Sequence, residues 1–329
     1  MNFQKNISLK DYSNYEIGGP ARLFAEVETT EELREILKPA SPASTRGVQR
    51  GEQVQDDKEN NVFILGGGTN ILINDKGFDG LVIHNKIQGI LRQRFGQVDS
   101  VEVGSGVLIK DLLDFCIENS LSGLEWAGGL PGTVAGAVRG NAGAFKGETK
   151  DSVISVTSLD LKILNGKTRN NTQCQFNYRD SVFKSGEGSS EIIISTVFNL
   201  KPGNKEDIQK TIQEKIDYRN LKHPMDYPNI GSTFKNIPFY LLSEKLQKEF
   251  QSYVKTDPFP IVPTAKLLAL AGLKGKKVGG AMISDKHPNF IINLNNATAE
   301  DVKALIAIAR EAIQQKYGIN LEEEIIYLS

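Results

Sequence analysis

Three consecutive glycines follow an apolar run in the stretch FILGGGTNILIND, from Phe63 to Asp75. Glycine loses more backbone freedom on folding than any other residue, so such a run weakens a regular strand or helix. The apolar residues before it predict a buried strand, and the ILI after it predicts another extended segment. We therefore expect a loop between two strands, at a place where a ligand or close packing requires glycine.

The common phosphate-binding motifs do not fit this chain. A GxGxxG pattern that starts at Gly66 would need glycine at position 71, where Ile71 stands, and it would need a helix after the loop. The segment NGKT, Asn165 to Thr168, lacks the upstream glycine of a P-loop. The glycine run is therefore predicted to belong to neither a Rossmann fold nor a P-loop enzyme.

A second glycine cluster, GLEWAGGLPGTVAGAVRGNAGAFKGE, runs from Gly123 to Glu148. Its Pro131-Gly132-Thr133 predicts a turn into a short helix, and backbone N–H groups there can bind phosphate without a basic side chain. Alternatively, the four-residue spacing of Gly132, Gly136 and Gly140 allows a helix to pack tightly on a sheet. Either explanation accounts for one cluster, but two clusters that carry little charge favour a bound dinucleotide.

The composition excludes several classes of protein. The 329 residues carry a net charge of -1, so no basic field exists to hold nucleic acid or an anionic membrane. Two cysteines and three well-separated histidines predict neither a disulfide framework nor a metal site. No stretch approaches the ~20 apolar residues that span a bilayer. These features predict a cytoplasmic protein that binds its anionic ligands locally.

The order of predicted elements indicates a mixed α and β chain. LFAEVET and NVFILGG predict strands on either side of a helix that Thr29 and Glu32 would cap, which makes a βαβ unit. Asn165-Gly166 predicts a hairpin turn, and Thr298 is expected to cap the last helix. The polar stretch at about 39–61 is too long for an ordinary connection, and we interpret it as a disordered surface insertion without a catalytic role.

Five motifs in the same order resemble the UDP-N-acetylenolpyruvoylglucosamine reductase family. They are GGGTNILI, the second glycine cluster, NYRDSVFK, GSTFKN and GLKGKKVGGAMISDKHPNFIIN, and they precede an acidic chain end, LEEEI. The resemblance spans nearly the whole chain and implies the shorter subclass of the family, because an extra tyrosine-bearing loop is missing between NYRDSVFK and IIISTVF.

The family implies an α+β fold of the vanillyl-alcohol-oxidase type, with two FAD-binding subdomains and a C-terminal α+β substrate-binding domain. We expect the first subdomain at 1–85, with a strand at 320–329 returning to it. The second subdomain is expected at 86–203 and the substrate-binding domain at 204–319.

The resemblance also implies which residues bind FAD, with NADPH as the hydride donor. In the first loop these are Gly66, Gly67, Gly68, Thr69, Asn70, Ile71 and Leu72. In the second loop they are Gly132, Thr133, Ala142, Gly143 and Ala144, and Arg219 is a further candidate for a flavin contact.

The reaction implied by the family reduces UDP-N-acetylglucosamine enolpyruvate to UDP-N-acetylmuramate, a step of peptidoglycan precursor synthesis. NADPH reduces FAD, and hydride then reaches C3 of the enolpyruvyl group while a proton is added at C2. Arg179 matches the arginine that stabilises the developing enolate, a task that suits a permanently charged guanidinium. Ser232 matches the proton donor, with Lys235 or water as a source of help.

The remaining expected site residues are less directly marked. Glu324, the third acid of LEEEI, aligns with the family's catalytic glutamate, in a register where Glu322 shares its side of the strand. Lys222 and Asn236 are expected to bind the substrate diphosphate and sugar. Phe145 stands where the family often has tyrosine, so one contact to a substrate hydroxyl is expected to be missing.

Two other interpretations remain open from the sequence. One is another FAD-dependent oxidoreductase of the same fold, although the second glycine cluster contains no His or Cys to anchor a flavin covalently. The other is a catalytically inactive flavin-binding homologue, which the presence of Arg179, Ser232 and Glu324 argues against. We expect small-molecule substrates only, no nucleic-acid or membrane partner, and a monomer.

Overall fold

The structure is a computed structural model that describes residues 3–38, 61–95 and 98–329. The predicted insertion at about 39–61 lies outside the described residues except for Asn61. The described elements confirm the α+β class, and we treat them below in three successive units.

The first unit contains a four-stranded sheet in the order β1-β2-β5-β3. The elements are β1 (Gln4–Ser8), β2 (Pro20–Val27), α1 (Thr30–Leu37), β3 (Val62–Leu65), β4 (Ile71–Ile73) and β5 (Phe78–Asn85). Strands β2 and β3 both run parallel to β5 and lie on either side of it. The predicted βαβ unit therefore forms, but β5 separates its two strands.

The second unit is built on an antiparallel sheet in the order β12-β11-β13-β7-β6, with β8 paired to the end of β13. Its elements are β6 (Ile90–Phe95), β7 (Val98–Gly104), α2 (Ile109–Glu118), β8 (Leu121–Ser122), α3 (Val134–Arg139), β9 (Gly143–Ala144), β10 (Gly147–Glu148), β11 (Val153–Asp160), β12 (Gly166–Asn170), α4 (Val182–Ser185) and β13 (Glu191–Pro202). Helices α2 and α3 bury apolar side chains in the core of this unit.

The third unit combines small sheets with α8, the longest helix of the described chain. Its elements are α5 (Lys205–Lys222), β14 (Ile237–Pro238), α6 (Glu244–Phe250), β15 (Lys255–Thr256), β16 (Pro260–Val262), α7 (Thr264–Leu270), β17 (Lys277–Val278), β18 (Ala281–Ile283), β19 (Ile291–Asn293), α8 (Ala299–Tyr317) and β20 (Ile326–Leu328). The buried face of α8 packs in a core with β18 and β19.

Long-range pairing connects the units. Strand β20 runs parallel to β4, so the end of the chain lies against the strand that follows the first glycine loop. Helix α5 buries Ile208 and Ile212 in the core of the second unit. The exact limits of the three predicted domains stay a prediction, because packing of this kind does not by itself divide a chain.

Two local predictions need correction. Asn165-Gly166 does not form a two-residue hairpin turn: β11 ends at Asp160, and Leu164 takes the left-handed conformation, with φ 54°. The cause is the Asp160 carboxylate, which accepts hydrogen bonds from the N–H groups of Lys162 and Ile163 and so bends the chain early. In addition, Thr29 caps α1 as predicted, but the Glu32 carboxylate accepts from the N–H of Glu28 rather than that of Thr29.

The cap of α8 yields a stability prediction. Thr298 Oγ1 accepts from the N–H of Asp301, and the Asp301 carboxylate accepts from the N–H of Thr298, which makes a complete capping box. Thr298→Ala should lower the free energy of unfolding by about 1 kcal/mol, because a terminal N–H group loses its acceptor. Urea unfolding measures the change, and Thr298→Ser, which retains the hydroxyl, is the control. Equal stability of all three proteins would contradict the prediction.

Candidate active site

The two glycine loops pack directly on each other. A Cβ atom on Gly66 would lie 2.8 Å from Thr133 Oγ1, and one on Gly67 would lie 2.8 Å from Gly132 Cα. A Cβ atom on Gly132, whose φ is 102°, would lie 2.7 Å from Thr69 Oγ1. Real Cβ atoms do not approach other atoms so closely, so glycine is required here by the contact between the loops.

The predicted geometry of both loops is confirmed. The first loop connects β3 to β4, two strands, and Gly68 has φ 63° with Tyr12 O only 1.9 Å from a Cβ position. The second leads into α3, where Thr133 accepts a hydrogen bond from the N–H of Gly136 at 3.3 Å. Close packing, which the sequence left as an alternative to ligand binding, thus accounts for at least part of the glycine content.

The first loop also reaches the acidic end of the chain. Asn70 Nδ2 donates to the carbonyl of Glu324 at 3.0 Å, and the N–H of Ile326 donates to the carbonyl of Asn70 at 3.0 Å. The side chains of Ile71 and Leu72 are buried in apolar cores, so only their backbones are available to a ligand. This loop therefore links the expected flavin site to one of the expected catalytic residues.

Arg179 and Glu324 form an ion pair, with Nε and Oε1 3.0 Å apart and side chains only 18% and 23% exposed. Arg179 Nη2 donates to the carbonyl of Gly143 at 2.7 Å, so the guanidinium also contacts the second glycine segment. Its φ is 55°, a conformation that costs a non-glycine residue about 1–3 kcal/mol and that often marks a functional site. The surrounding contacts compensate for this strain.

Neighbours in the same motif position Arg179. Its Cζ lies 5.1 Å from the centre of the Tyr178 ring, and Lys184 Nζ donates to the Arg179 carbonyl at 2.8 Å. Burial, together with the charge of Lys235, holds the pKa of Lys184 below its usual value. Neither Tyr178 nor Lys184 was among the expected site residues, although both lie within NYRDSVFK.

Ser232 is connected to Glu324 by a backbone hydrogen bond of its neighbour in the chain. The next residue, Thr233, accepts a hydrogen bond at its carbonyl from the N–H of Glu324 at 2.8 Å, and its own N–H donates to the carbonyl of Asn289 at 2.7 Å. Ser232 itself is half-buried. The structure thus brings all three expected catalytic residues into one region, with Arg179 and Glu324 in direct contact.

The acidic residues at the chain end have separate partners. Lys235 Nζ pairs with Glu322, and Arg310 Nη1 pairs with Glu323 at 2.8 Å. Glu324 is the member of this group that faces Arg179. These contacts agree with the expected choice of Glu324, and they pair Lys235 with Glu322.

Arg219, the further candidate for a flavin contact, has a largely buried guanidinium. Its Nε donates to the carbonyl of Gly128 at 2.8 Å, whereas its Nη2 is buried without a hydrogen-bond partner among the described residues. Burial, with the charge of Arg179 second, lowers the pKa of Arg219 to about 10. Arg179 Nη1 is also buried without a partner among the residues that the structure describes. Unpaired buried donors of this kind fit an anionic ligand such as the FAD pyrophosphate or a substrate carboxylate.

A tight hairpin carries Phe145 over Arg219. Phe145 and Lys146 connect β9 to β10 and both have positive φ, 52° and 69°. The centre of the Phe145 ring lies 5.4 Å from Arg219 Cζ and 5.2 Å from Lys215 Nζ, and the Tyr218 ring packs in a T-shaped arrangement with it. The ring therefore packs on cations of α5, and no hydroxyl stands at this position.

The two residues expected to contact the substrate, Lys222 and Asn236, differ in their surroundings. Lys222 is exposed as the last residue of α5. Asn236 Oδ1 accepts from the N–H of Thr264 at 3.1 Å, so this oxygen supports the start of α7. Nearby, His223 and His287 pack ring against ring, and burial lowers the pKa of each to about 4, which leaves both neutral near pH 7.

Within the described part of the chain, no group of three or more His, Cys, Asp or Glu side chains is arranged to hold a metal ion. The two cysteines, Cys116 and Cys174, are buried and unpaired thiols, and burial raises the pKa of both.

Comparisons with known proteins agree with this geometry. Residues 21–168 match the FAD binding domain model, and residues 223–328 match the model of the UDP-N-acetylenolpyruvoylglucosamine reductase C-terminal domain. The fold and the matched domain define the chain as an FAD-dependent oxidoreductase.

Curated relatives and a solved structure identify the family. UDP-N-acetylenolpyruvoylglucosamine reductases of Lactobacillus delbrueckii subsp. bulgaricus and Caldicellulosiruptor bescii are both 34% identical over 99% of this chain, and they are covered to 95% and 90%. The crystal structure of that reductase from Thermus caldophilus aligns over 100% of both chains with TM-score 0.73 and 28% identity. The chain belongs to the UDP-N-acetylenolpyruvoylglucosamine reductase family.

The unpaired buried donor of Arg219 leads to a prediction about FAD retention. Arg219→Met should raise the dissociation constant for FAD about tenfold or more, because a charge-assisted hydrogen bond is lost while the aliphatic packing is largely retained. The measurement is a fluorescence titration of the apoprotein with FAD. Arg310→Met, at an exposed ion pair far from α5 in sequence, is the matched control and should bind FAD normally. Unchanged affinity in Arg219→Met would remove this residue from the flavin site.

Proposed function

We propose that this chain reduces UDP-N-acetylglucosamine enolpyruvate to UDP-N-acetylmuramate, with FAD as cofactor and NADPH as hydride donor, in the cytoplasmic synthesis of peptidoglycan precursors. The observation that carries the proposal is the Arg179–Glu324 ion pair. The pair lies against the second glycine segment and adjoins Ser232 through Thr233. Arg179 Nη1 is buried and has no hydrogen-bond partner among the described residues. Full-length relatives named for this reductase support the same reaction.

The glycine loops and Arg219 form the proposed FAD site. The backbones of Gly66 to Asn70 and of Gly132 and Thr133 are brought together by direct contact and would hold the pyrophosphate. The unpaired Nη2 of Arg219 would donate to an oxygen of the cofactor. When bound, FAD supplies hydride transfer from NADPH to the enolpyruvyl group.

Arg179 is the proposed electrostatic catalyst. Hydride addition at C3 of the enolpyruvyl group places negative charge on the C2 side and on the carboxylate, and a guanidinium in a water-poor site stabilises that charge strongly. Nε and Nη2 are already occupied, which leaves Nη1 for the substrate. The guanidinium is held on two sides before substrate arrives, so little reorganisation is needed.

Ser232 is the proposed proton donor to C2. A serine hydroxyl is a weak acid, and Lys235, the nearest lysine in sequence, is already paired with Glu322. We infer that Glu324 acts mainly by orienting Arg179, while the Ser232 proton is replaced from solvent. We also propose that Lys222, the last residue of α5, contacts the nucleotide. The same is proposed for Asn236, whose side chain accepts a hydrogen bond from the first residue of α7.

The finer features of partners and location follow from this function. Among the described helices, none is both long and apolar enough to cross a bilayer. We propose that the protein acts as a monomer on small molecules only. Another oxidoreductase of the same fold, or an inactive homologue, is not supported: the family match covers the C-terminal domain, and the Arg179–Glu324 pair is intact.

The function can be tested by one anaerobic absorbance titration of the FAD-loaded protein. NADPH should bleach the flavin bands, and UDP-N-acetylglucosamine enolpyruvate should then restore them within seconds. A flavin that is reduced but not reoxidised would point to a different oxidant. Omitting NADPH is the control, since the nucleotide alone should leave the spectrum of oxidised flavin unchanged in intensity.

Replacing Ser232 separates the two half-reactions. In Ser232→Ala, NADPH should reduce the flavin at the normal rate, while reoxidation by the enolpyruvyl nucleotide should slow about 100-fold or more, because general acid catalysis contributes about 10²–10⁴-fold. Stopped-flow absorbance follows both steps. Ser243→Ala, at an exposed serine whose side chain makes no capping hydrogen bond, is the matched control. Equal slowing of both steps would contradict the assigned role.

A further inference from the structure

A short turn of the third unit contacts two segments that in turn contact Arg179. Strands β15 and β16 pair through Thr256 and Pro260, so residues 257–259, which we call the arm, form the turn between them. Strand β16 is anchored by the buried Ile261 and Val262. Within the arm, Asp257 and Phe259 are half-buried and Pro258 between them is exposed.

Asp257 contacts the Phe145 hairpin. Its Oδ1 accepts a hydrogen bond from the N–H of Lys146 at 2.9 Å, across a sequence separation of 111 residues. Lys146 has φ 69°, a backbone conformation that residues with a side chain rarely adopt. The hydrogen bond from Asp257 helps to hold Lys146 in this conformation. The same hairpin begins at Gly143, whose carbonyl accepts from Arg179 Nη2.

Phe259 contacts the other side of the same site. Its ring packs in a T-shaped arrangement with the Tyr178 ring, at an interplanar angle of 75° and with centroids 5.1 Å apart. Tyr178 also contacts Arg179, whose Cζ lies 5.1 Å from the ring centre, and the Tyr178 hydroxyl accepts from the N–H of Asn236 at 3.3 Å. Phe259 is thus one ring away from the guanidinium.

We propose that Asp257 and Phe259 are positioning residues for the enolpyruvyl nucleotide half-reaction. Both contacts of the arm lead to Arg179, one through the carbonyl of Gly143 and the other through the Tyr178 ring. The arm therefore fixes where the unpaired Nη1 of Arg179 points. This inference rests on the proposed role of Arg179. It adds that residues of the third unit influence substrate affinity and turnover by positioning Arg179.

The arm can be tested in the FAD-loaded protein by stopped-flow absorbance. Asp257→Ala and Phe259→Ala should each raise the KM for the enolpyruvyl nucleotide or slow flavin reoxidation by about fivefold to tenfold, the usual effect of one lost hydrogen bond or ring contact. In Phe259→Ala, reduction of the flavin by NADPH should stay within about twofold of normal, because the ring contact of Phe259 is with Tyr178 and not with the Phe145 hairpin that packs on Arg219. Calorimetric titration with UDP-N-acetylglucosamine gives a second measure that needs no turnover.

Matched variants separate positioning from general instability. Asp257→Asn retains the acceptor oxygen and should restore normal kinetics, and Tyr240→Ala removes an aromatic side chain that is 72% exposed in the same unit. Normal reoxidation in both alanine variants, or equal slowing of both half-reactions in Phe259→Ala, would overturn the proposal. A wild-type protein that the nucleotide does not reoxidise would instead reject the proposed function, so the two failures remain distinguishable.

Discussion

Contact between the two glycine loops is the constraint on which the proposed site depends. The loops come from different units: one follows β3 in the mixed sheet of the first unit, and the other precedes α3 in the second unit. Because Gly66 and Gly67 have no side chains, their backbones can approach Gly132 and Thr133 to within van der Waals contact. Any side chain would separate the loops and, with them, the backbone groups available to a pyrophosphate.

The catalytic region depends on a second convergence of distant segments. Strand β20 pairs with β4, which places Glu324 next to the first glycine loop and opposite Arg179. Arg179 Nε pairs with the Glu324 carboxylate, and Arg179 Nη2 donates to the Gly143 carbonyl. A buried charge that is only partly paired is costly unless a ligand completes it. That cost gives a physical reason to regard Arg179 as a binding residue and not as a structural one.

Local sequence predicted the regular elements well where the signals were strong. The Thr298 cap, the strand-to-strand character of the first loop and the helix after Thr133 were all confirmed. The Asn165-Gly166 turn was wrong because the Asp160 side chain bends the chain earlier than the glycine would. Asp257 and Phe259 could not be found from sequence, since their partners lie far away along the chain.

The sequence by itself determined the family and the cofactor, because ordered motifs retain residue identity and spacing, and the same motifs led to the expectation that Arg179, Ser232 and Glu324 are catalytic. Only the tertiary structure decided which polar atoms of the expected site residues already have hydrogen-bond or ion-pair partners. It showed that Nη1 of Arg179 and Nη2 of Arg219 are buried without partners among the described residues, and that Lys235 is occupied by Glu322. Hydrogen bonding and burial arise from segments that meet only when the chain folds, so no local pattern records them.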